Sequence, residues 1–233
     1  MKSTLQAYLN KRMGIAEKRA IKSPSIPGPV LTISREPGCP GMKIANALQE
    51  ILIEKEHKDW KVISKEILTE SSKELDIHTD KVNKIFNIQE RTVFDEILAA
   101  FSTKKFKNER VIKKTVTEVI RTFSENGHCI IVGRAGHIIA SDIKKSLHVR
   151  LYAPLEWRVS RIMKSRNLSS DDARKYIIET EKQRMNFRTV IKGSRTSKGD
   201  FDLIINCAKL KPKDIAKLIA ACMEATDLLV EHI

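Results

Sequence analysis

Aromatic residues make up only 5% of the 233-residue chain, and glycine, proline and cysteine number nine, seven and four. So little glycine and proline excludes the collagenous and low-complexity classes, and 41% hydrophobic residues exclude a largely disordered chain. No apolar run approaches the roughly 18 residues that would span a bilayer, and the N-terminus lacks the apolar stretch of a secretory signal. These absences predict a cytosolic chain without a membrane partner. Cys39, Cys129, Cys207 and Cys222 stand far apart, with no C-x-x-C pair or clustered histidine, so neither a disulfide framework nor a zinc site is expected. Scarce aromatics and the lack of any RNA- or DNA-reading motif argue against a nucleic-acid partner. At 26.5 kDa the chain is long enough to bury a core of its own.

What the sequence does have is positive charge. The formal net charge is +14, which suits an anionic partner such as a phosphorylated metabolite. Its distribution is uneven. Residues 1–25 hold six Lys/Arg against Glu17, and residues 158–198 hold twelve Lys/Arg against Asp171, Asp172, Glu179 and Glu181. The rest is nearly neutral, so an anion site built from side-chain charge must draw on these two segments. Solvated helix faces would leave the same mark.

A breaker-rich stretch, Ser23 to Pro29, separates a basic N-terminal extension (1–28) from a domain over 29–233. Buried-type strands are predicted at 30–34, 61–63, 128–132, 147–152 and 203–206, each short, apolar and β-branched. Ile44, Leu48, Ile51 and Leu52 fall on one helical face and predict a helix over 43–56 that starts directly after the first strand. Residues 64–126 read as a helical insertion. A polar helix over 169–188 followed by a mobile loop at 192–199 reads as a lid spanning 166–200. Strands alternating with helices predict an α/β fold with a parallel sheet flanked by helices.

Ligands of parallel α/β sheets bind outside the carboxyl ends of the strands, here 35–43, 133–137, 153–158 and 206–209. The first of these carries Gly38 and Gly41 and opens a helix, the arrangement in which converging backbone N–H groups hold a phosphate. An ordinary βα turn would be spelled the same way. No register satisfies the P-loop pattern G-x-x-x-x-G-K-S/T: with Lys43 on the motif lysine, Pro37 and Met42 occupy the glycine positions.

Four segments nevertheless occur in a telling order: Thr32-Ile33-Ser34-Arg35-Glu36-Pro37-Gly38-Cys39-Pro40-Gly41, Val132-Gly133-Arg134, Leu151-Tyr152-Ala153-Pro154-Leu155-Glu156-Trp157-Arg158-Val159, and Glu181-Lys182-Gln183-Arg184. Together they resemble the loop, strand and lid motifs of the cytidylate kinase-like P-loop proteins, a divergent branch of the nucleoside monophosphate kinases. The resemblance implies a P-loop NTPase-like core with a helical substrate-binding insertion and a lid. It implies ATP-dependent phosphoryl transfer with Mg²⁺ to a nucleoside monophosphate, CMP or dCMP first. Arg35, Gly38, Cys39, Pro40, Gly41, Met42, Lys43 and Ile44 would surround the donor nucleotide's phosphates, with Arg158 and Arg161 joining them. Lys43, Arg184 and Arg188 would be catalytic, and Arg134 would grip the acceptor phosphate through a bidentate guanidinium. Two departures stand out: no residue is assigned to the metal, and Ala135 stands where cytidylate kinases carry an acidic base-reading residue. A kinase of another small molecule and an inactive nucleotide- or nucleic-acid-binding regulator are the competing readings.

Overall fold

The computed structural model describes residues 28–64, 117, 120–121, 123–194 and 196–229. The N-terminal extension before Gly28 and most of the predicted insertion lie outside them. Among the described residues, strands β1 (Val30–Arg35), β2 (Lys61–Ile63), β3 (Cys129–Val132), β4 (Ser146–Tyr152) and β5 (Leu203–Asn206) form one sheet in the order β2-β3-β1-β4-β5. Every pairing is parallel, and β1 lies at the centre with Ile33 opposite Val132 on one side and Val149 on the other. This is the α/β architecture expected from the alternation of elements. The third strand begins at Cys129 rather than His128, whose φ of 47° takes it out of the extended region.

Parallel strands buried on both faces account for their near-continuous apolar spelling. Leu31 and Ile33 point to one side, where helices α1 (Gly41–Glu56) and α5 (Pro212–Ala225) close the larger core with Ile44, Leu48, Leu52, Ile215, Ile219 and Met223. Val30, Cys129 and Ile131 point to the other side. There they meet Ile120, Phe123, Ile139 of the short helix α2 (Gly136–Ile139), and Ile191. Thr32 sits on this second face in register with His148, and its Oγ1 lies 2.9 Å from His148 Nδ1.

Helix α3 (Leu155–Arg166) follows β4, and α4 (Ser170–Lys192) packs along it through Val159, Ile162, Ala173 and Ile177. The Ser169 side chain caps α4 by accepting from the Asp172 amide, with Asp171 and Asp172 in the first turn where the helix dipole favours them. The helix runs past the predicted end at 188 because Ile191 is buried and Phe187 half-buried against the second core. Gly193, Ser194, Thr196 and Ser197 of the loop expected at 192–199 lie outside helix and strand, and its two ends are structured. Gly193 ends α4 at φ 80°, a Ser197–Asp200 capping box opens a 3-10 turn at Lys198–Asp200, and Lys192 Nζ pairs with Asp200 Oδ1 at 2.6 Å. No helix among the described residues is long and apolar enough to cross a membrane.

His137 of α2 is only 4% exposed, stacks on Phe201 at 4.6 Å, and its Nε2 has no hydrogen-bond partner among the described residues. Burial, reinforced by His148, Arg188 and Arg150 and opposed by Asp200, pushes its pKa from 6.5 down to about 4. Between these values the unfolded chain binds a proton that the folded chain refuses, so stability is retained above pH 6.5 and lost as the pH falls toward 4. The full shift corresponds to about 3 kcal/mol. Urea unfolding followed at pH 7, 6 and 5 should show falling midpoints, and His137→Phe should flatten that acid limb.

Candidate functional site

The chain leaves β1 at Arg35 and reaches α1 through a short, internally bonded loop. The Cys39 amide donates to Glu36 O at 3.2 Å, and the Gly41 amide donates to Cys39 O at 2.9 Å. The latter closes an inverse γ-turn around Pro40, with φ −82° and ψ 51°. The Ile44 amide donates to Pro40 O at 3.1 Å, so the helix starts at Gly41, two residues earlier than predicted. The expected convergence of all amides from 38 to 43 is therefore corrected. Those of Cys39 and Gly41 are consumed within the loop and Pro40 has none, which leaves Gly38 in the loop and Met42 and Lys43 at the open helix mouth. Gly38 adopts φ 91°, and a Cβ there would lie 3.0 Å from Arg158 Cβ and 3.1 Å from its Cα and carbonyl oxygen. Only glycine permits both that backbone conformation and that approach.

A cleft of about 300 Å³ opens over this loop. Arg35 to Lys43 line one side, and Arg161, Arg166, Tyr176 and Arg184 of α3 and α4 line the other, setting five basic side chains against Glu36. Arg161 Nε donates to Gly38 O at 3.1 Å and its guanidinium lies 4.8 Å from the Trp157 ring, while Arg166 sits 4.3 Å from the Tyr176 ring. Arg184 Nη1 donates to Arg35 O at 2.9 Å, which ties the middle of α4 to the end of the central strand. Lys43 is exposed at the helix mouth. Ile44 is fully buried in the larger core, so its side chain turns away from the cleft because it continues the Ile44-Leu48-Leu52 stripe.

Three of the predicted arginines stand apart from the lining. Arg158 is 7% exposed and lies beneath the loop: its Nε donates to Ala153 O at 2.9 Å and lies 3.3 Å from Glu36 Oε2, and Nη1 pairs with Glu181 Oε1 at 2.8 Å. Its guanidinium is committed to two carboxylates and a carbonyl beneath the loop, apart from the cleft lining where the phosphates were expected. Arg134 follows β3 in a turn where Gly133, Arg134 and Ala135 all have positive φ (82°, 52° and 54°), and its guanidinium sits 5.7 Å from the Phe187 ring of α4. Two non-glycine residues in succession there store backbone strain of the kind that collects at functional sites. Gly133 is favoured by its φ of 82°, and Arg35 crosses it: a Cβ would fall 1.8 Å from Arg35 Nη1, so that guanidinium would have to shift. Arg188 is half-buried, with Nε reaching no hydrogen-bond acceptor among the described residues. Burial and the neighbouring charges of Arg150 and Arg184 lower its pKa against the pull of Glu181.

Sequence reasoning missed Glu36, Arg150, Arg166, Tyr176 and Cys207. Arg150 left a signal, a charge inside the apolar β4 run; it sits 3.6 Å from Glu36 Oε1 and 5.6 Å from the Phe201 ring. Glu36 receives Arg158, Arg150 and the Ala153 amide at 3.2 Å, which no local pattern announces. Replacing Arg158 by methionine would leave both carboxylates without their buried cation, and should cost roughly 3–5 kcal/mol of unfolding free energy in urea titrations without any ligand present. A variant of unchanged stability whose only defect was weaker nucleotide binding would return Arg158 to the phosphates.

The family model described as the cytidylate kinase-like family matches residues 30–209. A cytidylate kinase from Sulfurisphaera tokodaii is 32% identical over 125 residues, covering 53% of this chain and 69% of that protein. The crystal structure of an uncharacterized protein from Eubacterium ventriosum superposes with a TM-score of 0.58 at 16% identity, over 84% of this chain and 98% of that one, a likeness of fold. The matched residues run from the first residue of the central strand past the last strand of the sheet and take in both walls of the cleft, and the chain therefore belongs to the cytidylate kinase-like family, whose fold and relatives are those of kinase-type phosphotransferases.

Proposed function

We propose that the chain transfers the γ-phosphoryl group of ATP to a nucleoside monophosphate, with CMP or dCMP the first acceptors to try. The observation that carries this reading is the cleft itself: a helix mouth with free amides faces Arg161 and Arg184, and five basic side chains meet one carboxylate. Such a wall has little use except to hold a highly charged anion. The name of the Sulfurisphaera relative supports cytidylate as the acceptor.

In this reading the Met42 and Lys43 amides and the Lys43 ammonium hold the donor phosphates, Arg161 and Arg184 approach from α3 and α4, and Arg134 and Arg188 meet the acceptor phosphate at the sheet edge. An acceptor phosphate oxygen attacks the γ-phosphorus, the bond to the β,γ-bridging oxygen breaks, and ADP leaves. Positioning and charge neutralisation do most of this work. Mg²⁺ supplies further neutralisation when bound. No group of three or more His, Cys, Asp or Glu side chains stands ready to hold it among the described residues; one or two carboxylates with the substrate phosphates would suffice for this ion.

Arg188 bears on the rate. It faces Arg150 and Arg184 with an unsatisfied Nε, an arrangement that an incoming dianion relieves. Lys43, by contrast, is solvated and its charge is screened. Arg184→Ala and Arg188→Ala are expected to lower kcat by roughly 10²-fold or more with folding intact, within reach of the arginine contribution to phosphoryl transfer. Lys43→Ala should cost less, and Arg134→Ala should chiefly raise the acceptor KM. If both arginine variants keep the parent kcat while Lys43→Ala is dead, the loop lysine carries the charge instead.

The direct test is coupled ADP release with CMP, dCMP, UMP, AMP and GMP in turn. Turnover strongest with CMP or dCMP is the expected result, and no turnover above background with any of the five would sink the assignment.

A further inference from the structure

Two cysteines far apart in the chain meet at the foot of the cleft. The Glu36 amide donates to Leu151 O at 3.1 Å and the Cys207 amide donates to Tyr152 O at 2.9 Å, so the segments leaving β1 and β5 are both pinned to the end of the strand between them. The Cys39 amide donates back to Glu36 O, which turns Cys39 toward that same strand end. There the Cys39 and Cys207 side chains are neighbours. Cys39 packs against the core that contains Cys207, yet it also lines the cleft and is partly exposed, whereas Cys207 is 2% exposed. The other two cysteines have no such arrangement: Cys129 is buried with its thiol on Phe123 O at 3.4 Å, and Cys222 lies on α5.

We propose that Cys39 and Cys207 are a redox pair: a hydroperoxide oxidises Cys39, Cys207 resolves it, and the resulting disulfide takes the phosphate loop out of its nucleotide-binding shape. The division of labour follows from the site. Cys39 lines the cleft and is the sulfur that solvent reaches, whereas Cys207 is buried behind it, which is the pattern of an attacking and a resolving thiol. The neighbouring Cys207, aided by Arg158, also draws the Cys39 pKa down against burial and Glu36. The Cys39 thiolate attacks one peroxide oxygen, the O–O bond breaks, and Cys39 becomes a sulfenic acid while the peroxide leaves as hydroxide or alkoxide. Cys207 sulfur then displaces the hydroxyl, its proton departing with it as water, and a thiol such as dithiothreitol reverses the change by exchange.

Closing the bond draws the two sulfurs together to about 2.05 Å. Cys207 is held by β5 and the larger core, so the movement falls on Cys39 and on the Pro40 turn beside it. That turn sets the Met42 and Lys43 amides. The loss of nucleotide binding rests on the function proposed above; the disulfide does not.

The full-length protein treated with hydrogen peroxide, then alkylated and digested without reductant, should lose two of its four free thiols and yield a peptide pair joining Cys39 to Cys207. Dithiothreitol should restore both. Cys207→Ser should abolish the link and leave Cys39 trappable by dimedone, while Cys222→Ser changes nothing. The linked protein should bind ATP at least about tenfold more weakly than the reduced protein, within the usual range of coupling between two sites. Oxidation that leaves Cys207 free in the parent protein, or links another pair, overturns the inference. A link with undiminished ATP binding overturns its effect on the loop. Because the link is mapped chemically, it stands or falls whether or not the reduced protein phosphorylates a nucleotide.

Discussion

The loop, helix α4 and the ends of strands β1 and β4 are held in one arrangement by a single buried guanidinium. Arg158 takes the Ala153 carbonyl where β4 ends, Glu36 where β1 ends, and Glu181 halfway along α4. A charge this far from water is stable only while all its partners stay in place, so the three segments are coupled. The coupling reaches the backbone as well. Gly38 rests directly on the Arg158 main chain at φ 91°, and the loop can therefore neither rise nor sink without disturbing the ion pairs below it. Because Glu181 is the only one of these partners on α4, outward movement of that helix would give up one bond of Arg158 while Glu36 and Ala153 kept the others.

Around this neutralised hub the charge is deliberately unbalanced. Arg35, Arg150, Arg184 and Arg188 crowd the carboxyl ends of β1 and β4, and Glu36 and Glu181 are already engaged by Arg158. Burial, joined by the charges of Arg150 and Arg184, lowers the pKa of Arg188. The strained Gly133-Arg134-Ala135 turn adds Arg134 from the neighbouring strand. Positive charge at this end of the sheet is therefore spread over several arginines rather than carried by the loop lysine alone.

The irregular spelling of the loop has a matching structural explanation. A standard P-loop wraps its phosphates with consecutive amides; here Pro40 removes one, the γ-turn it allows consumes that of Gly41, and Glu36 O takes that of Cys39. The helix mouth contributes what remains, and α3 and α4 bring arginines to the opposite wall. The same turn leaves Cys39 at the cleft floor beside Cys207. A loop spelled in the standard way would have placed neither the proline nor the thiol there.

The sequence by itself determined the five strands, the helix after the first of them and the family, because each rests on local signals: apolar runs buried on both faces, the Ile44-Leu48-Leu52 stripe, and short motifs in a set order. It also located the cleft, since glycine turns after strands mark the ligand edge of a parallel sheet. Only the tertiary structure decided what the charged and polar side chains do there. Arg158 and Arg161 are three residues apart on one helix and read alike, yet one is buried under the loop and the other lines the cleft. Arg150 and Glu36 meet only because β4 lies beside β1, and Cys39 and Cys207 only because β5 lies beyond β4. Periodicity records which face of an element is buried, for that depends on neighbours a few residues away. The partner of a charge or a thiol depends on the order of strands in the sheet, and no local pattern carries that order.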